Sequence, residues 1–343
     1  MGGLGLRSAD NHAAAAYITS LLSSQSIRQD LLSLNEEDSL ITIPDHLLNL
    51  LSTKQEEEAT QESLQGVSKK AVSLQIDLNN TNLLTTNLTG EGVVRDIARF
   101  ASLSLPHAGD WLHVIPSPVL GLHLRPVEFT IMIKYRLGIS TYSTSGQCPA
   151  CGRHSDKNGD HAISCGSDGE WIARHNHLRD VLYQTAVSAA LAPTKEDRAL
   201  LPGTDARPAD VFIPHWTHGK DTALDVTVVN PLQEALVNQA ATNPGHALSH
   251  AFNKKMSGTG EACRREGIVF IPLPVETLGG WHEDAVLQVK KLGSAQSRQT
   301  GQEESVAIAH LFQRLLVLLV RGNASLFLNR IPSFPDPQLD AIE

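Results

Sequence analysis

Apolar positions recur three and four apart over residues 13–22, 93–105 and 171–191, and each stretch is predicted to be an amphipathic helix. Another helix is predicted over 126–137, where Pro126 takes the first helical position and its missing N–H leaves nothing unpaired. A shorter candidate over 44–51 also has proline near its start. Residues 53–90 break the pattern. An acidic run at Glu56, Glu57 and Glu58 gives way to a stretch rich in Asn, Thr and Leu, read as a weakly ordered connection. Two segments of high β-branched content, 209–213 and 223–229, flank a His-Gly-Lys-Asp turn at 218–221 and read as strands. A helix over 232–256, interrupted near Pro244-Gly245, follows. A buried strand over 268–275 and helices over 282–292 and 303–321 close the chain. This order predicts an α/β fold with helices on the sheet faces, and the sequence has no internal repeat.

Composition narrows the class. At 343 residues, with 41% hydrophobic and 19% charged positions, the chain has room for two domains, and collagen-like, fully disordered and coiled-coil readings are excluded. Its strongest apolar run, 315–320, is far short of a membrane span, so no membrane partner is expected. The first residues lack a basic stretch followed by an apolar core, and a nuclear or cytoplasmic, non-secreted protein is expected. A net charge of −9 excludes a surface coated with base, so any nucleic-acid contact must use a local patch or a metal-bridged site. Of the four cysteines, three fall between 148 and 165 and Cys263 stands alone, which suits a reduced compartment and a metal site.

Those three cysteines lie in CPACGRHSDKNGDHAISC. Cys148 and Cys151 are spaced to bind one ion from a tight turn, and His161 with Cys165 supplies a second pair. Four protein ligands close a tetrahedron and leave no open position, so a zinc ion held here would be structural. His154 is a competing ligand, and buried free thiols on a loop are the plain alternative. A knuckle of this kind clasps nucleic acid or braces a neighbouring domain.

The second constellation is RPADVFIPHWTHGKDTALDVTVVN. Asp210 begins one predicted strand, and Asp225 lies inside the next among Ala223, Leu224, Val226 and Val228. A buried carboxylate needs a partner or a metal. Two on adjacent strands suit Mg²⁺ or Mn²⁺ with positions left for water and a phosphate. Lys254 and Lys255, on the following helix, are candidates to reach this site, and Glu196 and Glu276 are candidates for its acidic shell. The alternative is that the aspartates cap turns or pair with Arg207 and Lys220. His175 and His177 read as surface or packing residues, as do His246 and His250, Trp281 as a turn anchor and Cys263 as core. Arg264 and Arg265 read equally as a DNA-facing patch or a solvated face.

The knuckle and the aspartates, in this order, resemble the C-terminal part of non-LTR retrotransposon polyproteins of the restriction-like-endonuclease class. Those proteins carry a CCHC zinc knuckle followed by a PD-(D/E)XK nuclease domain. The strings RPADV, ALDVTV, PLPVETLGGW and LFQRL with RGNA carry the likeness. Upstream, GGLGLRSADNHAAAAYI and GDWLHVIPSPVLGLHLRPVEFTIMIKYRLGI resemble the segment after the polymerase palm. The resemblance implies a helical polymerase-thumb remnant over 1–147, with its weak segment at about 53–90. A knuckle over 148–170, a restriction-endonuclease-like domain over 171–330 and a tail over 331–343 would follow. It implies zinc on Cys148, Cys151, His161 and Cys165, and catalytic Mg²⁺ or Mn²⁺ on Asp210 and Asp225. Lys255, with Lys254 beside it, would replace the motif lysine, whose position is taken by Thr227, while Ala209 is inserted before Asp210. The implied function is a DNA endonuclease that nicks target DNA for primed reverse transcription in the parent element, with DNA and the element's RNA as partners. The alternative is a catalytically inactive nucleic-acid-binding remnant. No Tyr-x-Asp-Asp-like acid pair is present, so the chain is not a reverse transcriptase by itself.

Overall fold

The computed structural model describes residues 9–24, 68–91, 93–167, 169–204 and 206–332. It divides into two compact units near residue 92. In the first, α1 (Ala9–Ser23) and α2 (Lys69–Glu91) are joined by an ion pair between His12 and Asp77 at 3.2 Å. Helix α2 falls within the stretch expected to be weakly ordered. Its buried stripe mixes Val72 and Ile76 with Ser73 and Asp77, so hydropathy alone does not expose the period. The hydroxyls of Thr81, Thr85 and Thr86 bond back to carbonyls four residues earlier, so they are satisfied within the helix. The helix expected over 44–51 and residues 53–67 lie outside the described residues.

The second unit is mixed α/β, in agreement with the expected class, and its sheet is mixed parallel and antiparallel. Helices α3 (Val94–Leu103) and α4 (Pro126–Leu137) precede a two-stranded hairpin of β1 (Gly146–Gln147) and β2 (His154–Ser155) and a short α5 (Asp160–Ser164). Next come α6 (Glu170–Ser188), β3 (Thr194–Lys195), β4 (Val211–Thr217), β5 (Lys220–Val229), α7 (Val237–Thr242), α8 (His246–Lys255), α9 (Glu261–Arg265) and β6 (Val269–Glu276). Helices α10 (Glu283–Thr300) and α11 (Glu304–Leu328) complete it. The sheet order is β3-β4-β5-β6, antiparallel except for the parallel pair β5-β6. Strand β6 is an edge, which is where Pro272 and Pro274 are tolerated. Between β4 and β5 only His218 and Gly219 intervene, both at positive φ (51° and 75°), as a tight hairpin of right-twisted strands requires.

Alternation along the strands sorts the faces. Val211, Ile213, Leu224, Val226, Leu273 and Val275 join the main core with residues of α6, α10 and α11. Ala223 and Phe270 face the other way, onto Leu201 and Cys263. Helix α11 is long and apolar enough to cross a membrane by length and composition alone, but Leu311, Phe312, Leu315, Leu316 and Phe327 bury it in this core. Trp111, Tyr135 and Leu103 share the same core, so residues 93–147 fold together with 171–330. The apolar faces of α3 and α4 are covered by this same layer.

Candidate metal knuckle and carboxylate cleft

Two sites emerge. The first is local. The β1-β2 turn brings Cys148 and Cys151 together, with the Cys148 carbonyl accepting from Gly152 N–H at 2.8 Å. The Asp156 carboxylate accepts from the N–H groups of Asn158 (2.9 Å) and His161 (3.0 Å), which fixes the start of α5 and aims His161 back at the turn. Gly159, at φ 85°, precedes that helix; a Cβ there would fall 2.2 Å from the Phe327 ring, so both conformation and space demand glycine.

The ligand atoms of Cys148, Cys151, His161 and Cys165 all lie within 4.8 Å of one another. Cys148 Sγ is 4.0 Å from Cys165 Sγ, and Cys151 Sγ is 3.3 Å from His161 Nε2. A tetrahedral ion with metal–sulfur bonds of about 2.3 Å sets its ligands about 3.7 Å apart. The cluster is able to hold a metal ion and is compatible with zinc. His154, on β2, stands outside it. Burial pushes the Cys148 thiol up, whereas at Cys165 burial is overcome by hydrogen bonds from Ser167 and Arg330 and the thiol falls to about 6. Arg330, fully buried and paired with Glu170 at 2.8 Å, sets a cation beside the thiolates.

The second site is assembled from four elements. Val211 pairs with Leu224, so one further step places Asp210 opposite Asp225. Both are buried, at 7% and 8% exposure. Here β5 outruns β4, and its backbone needs other partners. Val226 N–H donates to Asp210 Oδ2 at 2.6 Å, and His175 Nε2 lies 3.0 Å from both Asp210 Oδ2 and the Val226 carbonyl. Both neighbours accept, so Nε2 carries the proton. Burial pulls the imidazole down, but the Asp210 carboxylate more than offsets this and its pKa is raised. Lys255 Nζ pairs with Asp225 Oδ2 at 2.8 Å, and the Thr227 hydroxyl is 3.4 Å from the same oxygen. Burial raises the Asp225 pKa, Lys255 opposes it, and the Asp210 charge adds to it. Among the described residues no hydrogen bond or ion pair involves Oδ1 of either aspartate. The carboxylates adjoin a cleft of about 390 Å³ whose lining includes Trp171, Arg174, His175, Thr227 and Lys255.

The sequence candidates thus separate. Asp210, Asp225 and Lys255 meet. Lys254, one residue away on the helix, is exposed, and the ion pair belongs to Lys255. Glu196 follows β3 and its N–H bonds the Asp210 carbonyl at 3.2 Å, but its carboxylate is held by Arg179 and by Arg207, the latter at 2.6 Å. Arg207 therefore does not pair with the aspartates. Glu276 lies four residues beyond the site along β6, buried at 1% exposure and accepting from Ser102; burial pushes its pKa up to about 7. His175, read from the sequence as a surface or packing residue, is the side chain the structure adds to this group, through its contact with Asp210. Cys263 is core, as expected. No family model, curated protein or solved structure matches the chain.

Proposed function

We propose that the chain is a retrotransposon-derived, metal-dependent DNA endonuclease with a restriction-endonuclease-like core and a structural zinc knuckle. The observation that carries this reading is the cross-strand pair Asp210/Asp225 with Lys255 at 2.8 Å, beside an open cleft. Two carboxylates with uncommitted Oδ1 atoms are hard oxygen donors of the kind Mg²⁺ or Mn²⁺ takes, so the residues fit that ion. When bound there, such an ion supplies a Lewis acid and an acidified water for phosphodiester hydrolysis. The protein's own groups do the rest. His175 and Val226 N–H fix the Asp210 carboxylate on one oxygen. Lys255 offsets the charge of Asp225 and has two further N–H donors for a phosphate oxygen. The knuckle, with four protein ligands, serves as a brace and contributes no open position. In a parent element, the nick would supply the 3′ end for primed reverse transcription.

The test is nicking of supercoiled plasmid by the full chain with Mg²⁺ or Mn²⁺, beside Asp210→Asn and Asp225→Asn. Nicking by the wild type that both substitutions reduce to background supports the reading. Nicking that survives both overturns it. A folded, metal-loaded wild type that binds DNA without nicking leaves the inactive nucleic-acid-binding remnant in its place.

A further inference from the structure

The cleft beside the aspartates continues past Arg174 into a second hollow of about 290 Å³, which reaches the end of the knuckle at Ser164 and Gly166. Trp171, Arg174 and Val228 line both. Arg174 is 6% exposed, and among the described residues no carboxylate pairs with it. Its Nη1 donates to the neutral Asn323 Oδ1 at 2.6 Å, and its Nε is buried without a partner. The polar chain beyond is also uncharged: Asn323 Nδ2 to the Thr277 carbonyl (2.8 Å), Thr277 to Asn230 (3.2 Å), Asn230 to Ser164 (2.8 Å). Burial pulls the guanidinium down to about 10, and it stays charged at neutral pH. An isolated buried cation is costly unless an anion accompanies it.

Above it, Trp171 is 46% exposed, with its Nε1–H held by the Gly166 carbonyl at 3.0 Å. That bond fixes an indole at the rim while leaving almost half of the residue's surface open.

The geometry points to a nucleotide subsite: Arg174 receives a phosphate of a single-stranded nucleic-acid segment, and a base of that segment stacks on Trp171. Stacking on a fixed aromatic ring is the sequence-tolerant way to hold an unpaired base, and a guanidinium is suited to a phosphate. The continuity of the two hollows leads the strand from the knuckle to the carboxylates. This inference rests on the nuclease reading for its substrate class, but it makes a separate binding claim.

The experiment is anisotropy of a fluorescein-labelled twelve-nucleotide oligo-dT with the full chain, in buffer without added divalent metal. Trp171→Ala is expected to weaken binding about tenfold, and Trp171→Phe to restore most of it. Arg174→Gln is expected to weaken binding and lower the salt slope by about 0.7. Wild-type affinity in both Trp171→Ala and Arg174→Gln would overturn the subsite, as would duplex DNA competing as well as the single strand. If Arg174→Gln fails to fold by circular dichroism, the half-exposed Trp171 pair decides alone. Asp225→Asn separates the claims, since it keeps the subsite and removes the proposed metal ligand. Binding that depends on Trp171 in a protein that never nicks upholds the subsite while the nuclease reading falls.

Discussion

The knuckle and the cleft both gather groups that repel one another, but they manage the repulsion differently. In the knuckle, four ligand atoms converge within 4.8 Å, and every ligand comes from one stretch, 148–165. That arrangement is able to hold a cation at its centre. In the cleft, the two aspartates are answered by the protein's own donors, the Lys255 ammonium from α8 and the His175 ring N–H from α6. The difference teaches where stability resides. The knuckle should need its metal to fold, whereas the cleft should fold without one and be strained by its own carboxylates.

The strongest way to break this comparison is Cys165→Ser. Bound metal should fall from about one per chain to near zero, and the melting temperature by about 10 °C, because metal binding and local folding are one process. Metal analysis and calorimetry of the full chain check this; an unchanged melting temperature in metal-free protein would make the two sites alike.

Asp225→Asn sharpens the contrast with the opposite sign. A carboxyl whose pKa is raised on folding is penalised when ionised, so its stabilising share is present at low pH and is lost as pH rises through the folded value. The amide should therefore melt a few degrees higher than the wild type at pH 8, and the gain should vanish at pH 4, even as nicking is lost. Melting curves at the two pH values decide it.

The smallest effect belongs to His175→Gln. The imidazole pKa is raised in the fold, so its contribution is complete below the unfolded value and is lost as pH rises through the folded one. The substitution should cost about 1 kcal/mol at most at pH 5.5 and less at pH 8.5, measured by urea unfolding.

The same contrast governs what the sequence reveals. The knuckle was legible because its ligands are near neighbours and spacing alone fixes their geometry. The carboxylate pair was legible because Asp225 interrupts an otherwise apolar strand; its register was not, since the excess residues on β4 shift the pairing away from the one the turn alone would give. The choice of Lys255 over Lys254 was not legible, since Ala247 and Ala251 align with Lys254 on the helix as Leu248 and Ala251 do with Lys255. His175 was not. It lies in the polar run Arg174-His175-Asn176-His177, which reads as a solvated face, and its role comes from a strand end brought to it by packing. Strand β3, of two residues, is too short for any period to show.

The hairpin sets what lengthening or shortening it would do to the site. Near the turn Thr217 pairs with Lys220, while farther along Ile213 pairs with Thr222, so two more residues lie on β4 than on β5 between these pairs. His215, at φ 53°, lies within that excess. An even surplus leaves every side chain on its original face; an odd one would exchange Leu224 and Asp225 between core and cleft. The gap between the two acids is therefore free to grow or shrink at the tip and the bulge. What the hairpin must keep is a parity, not a fixed interval.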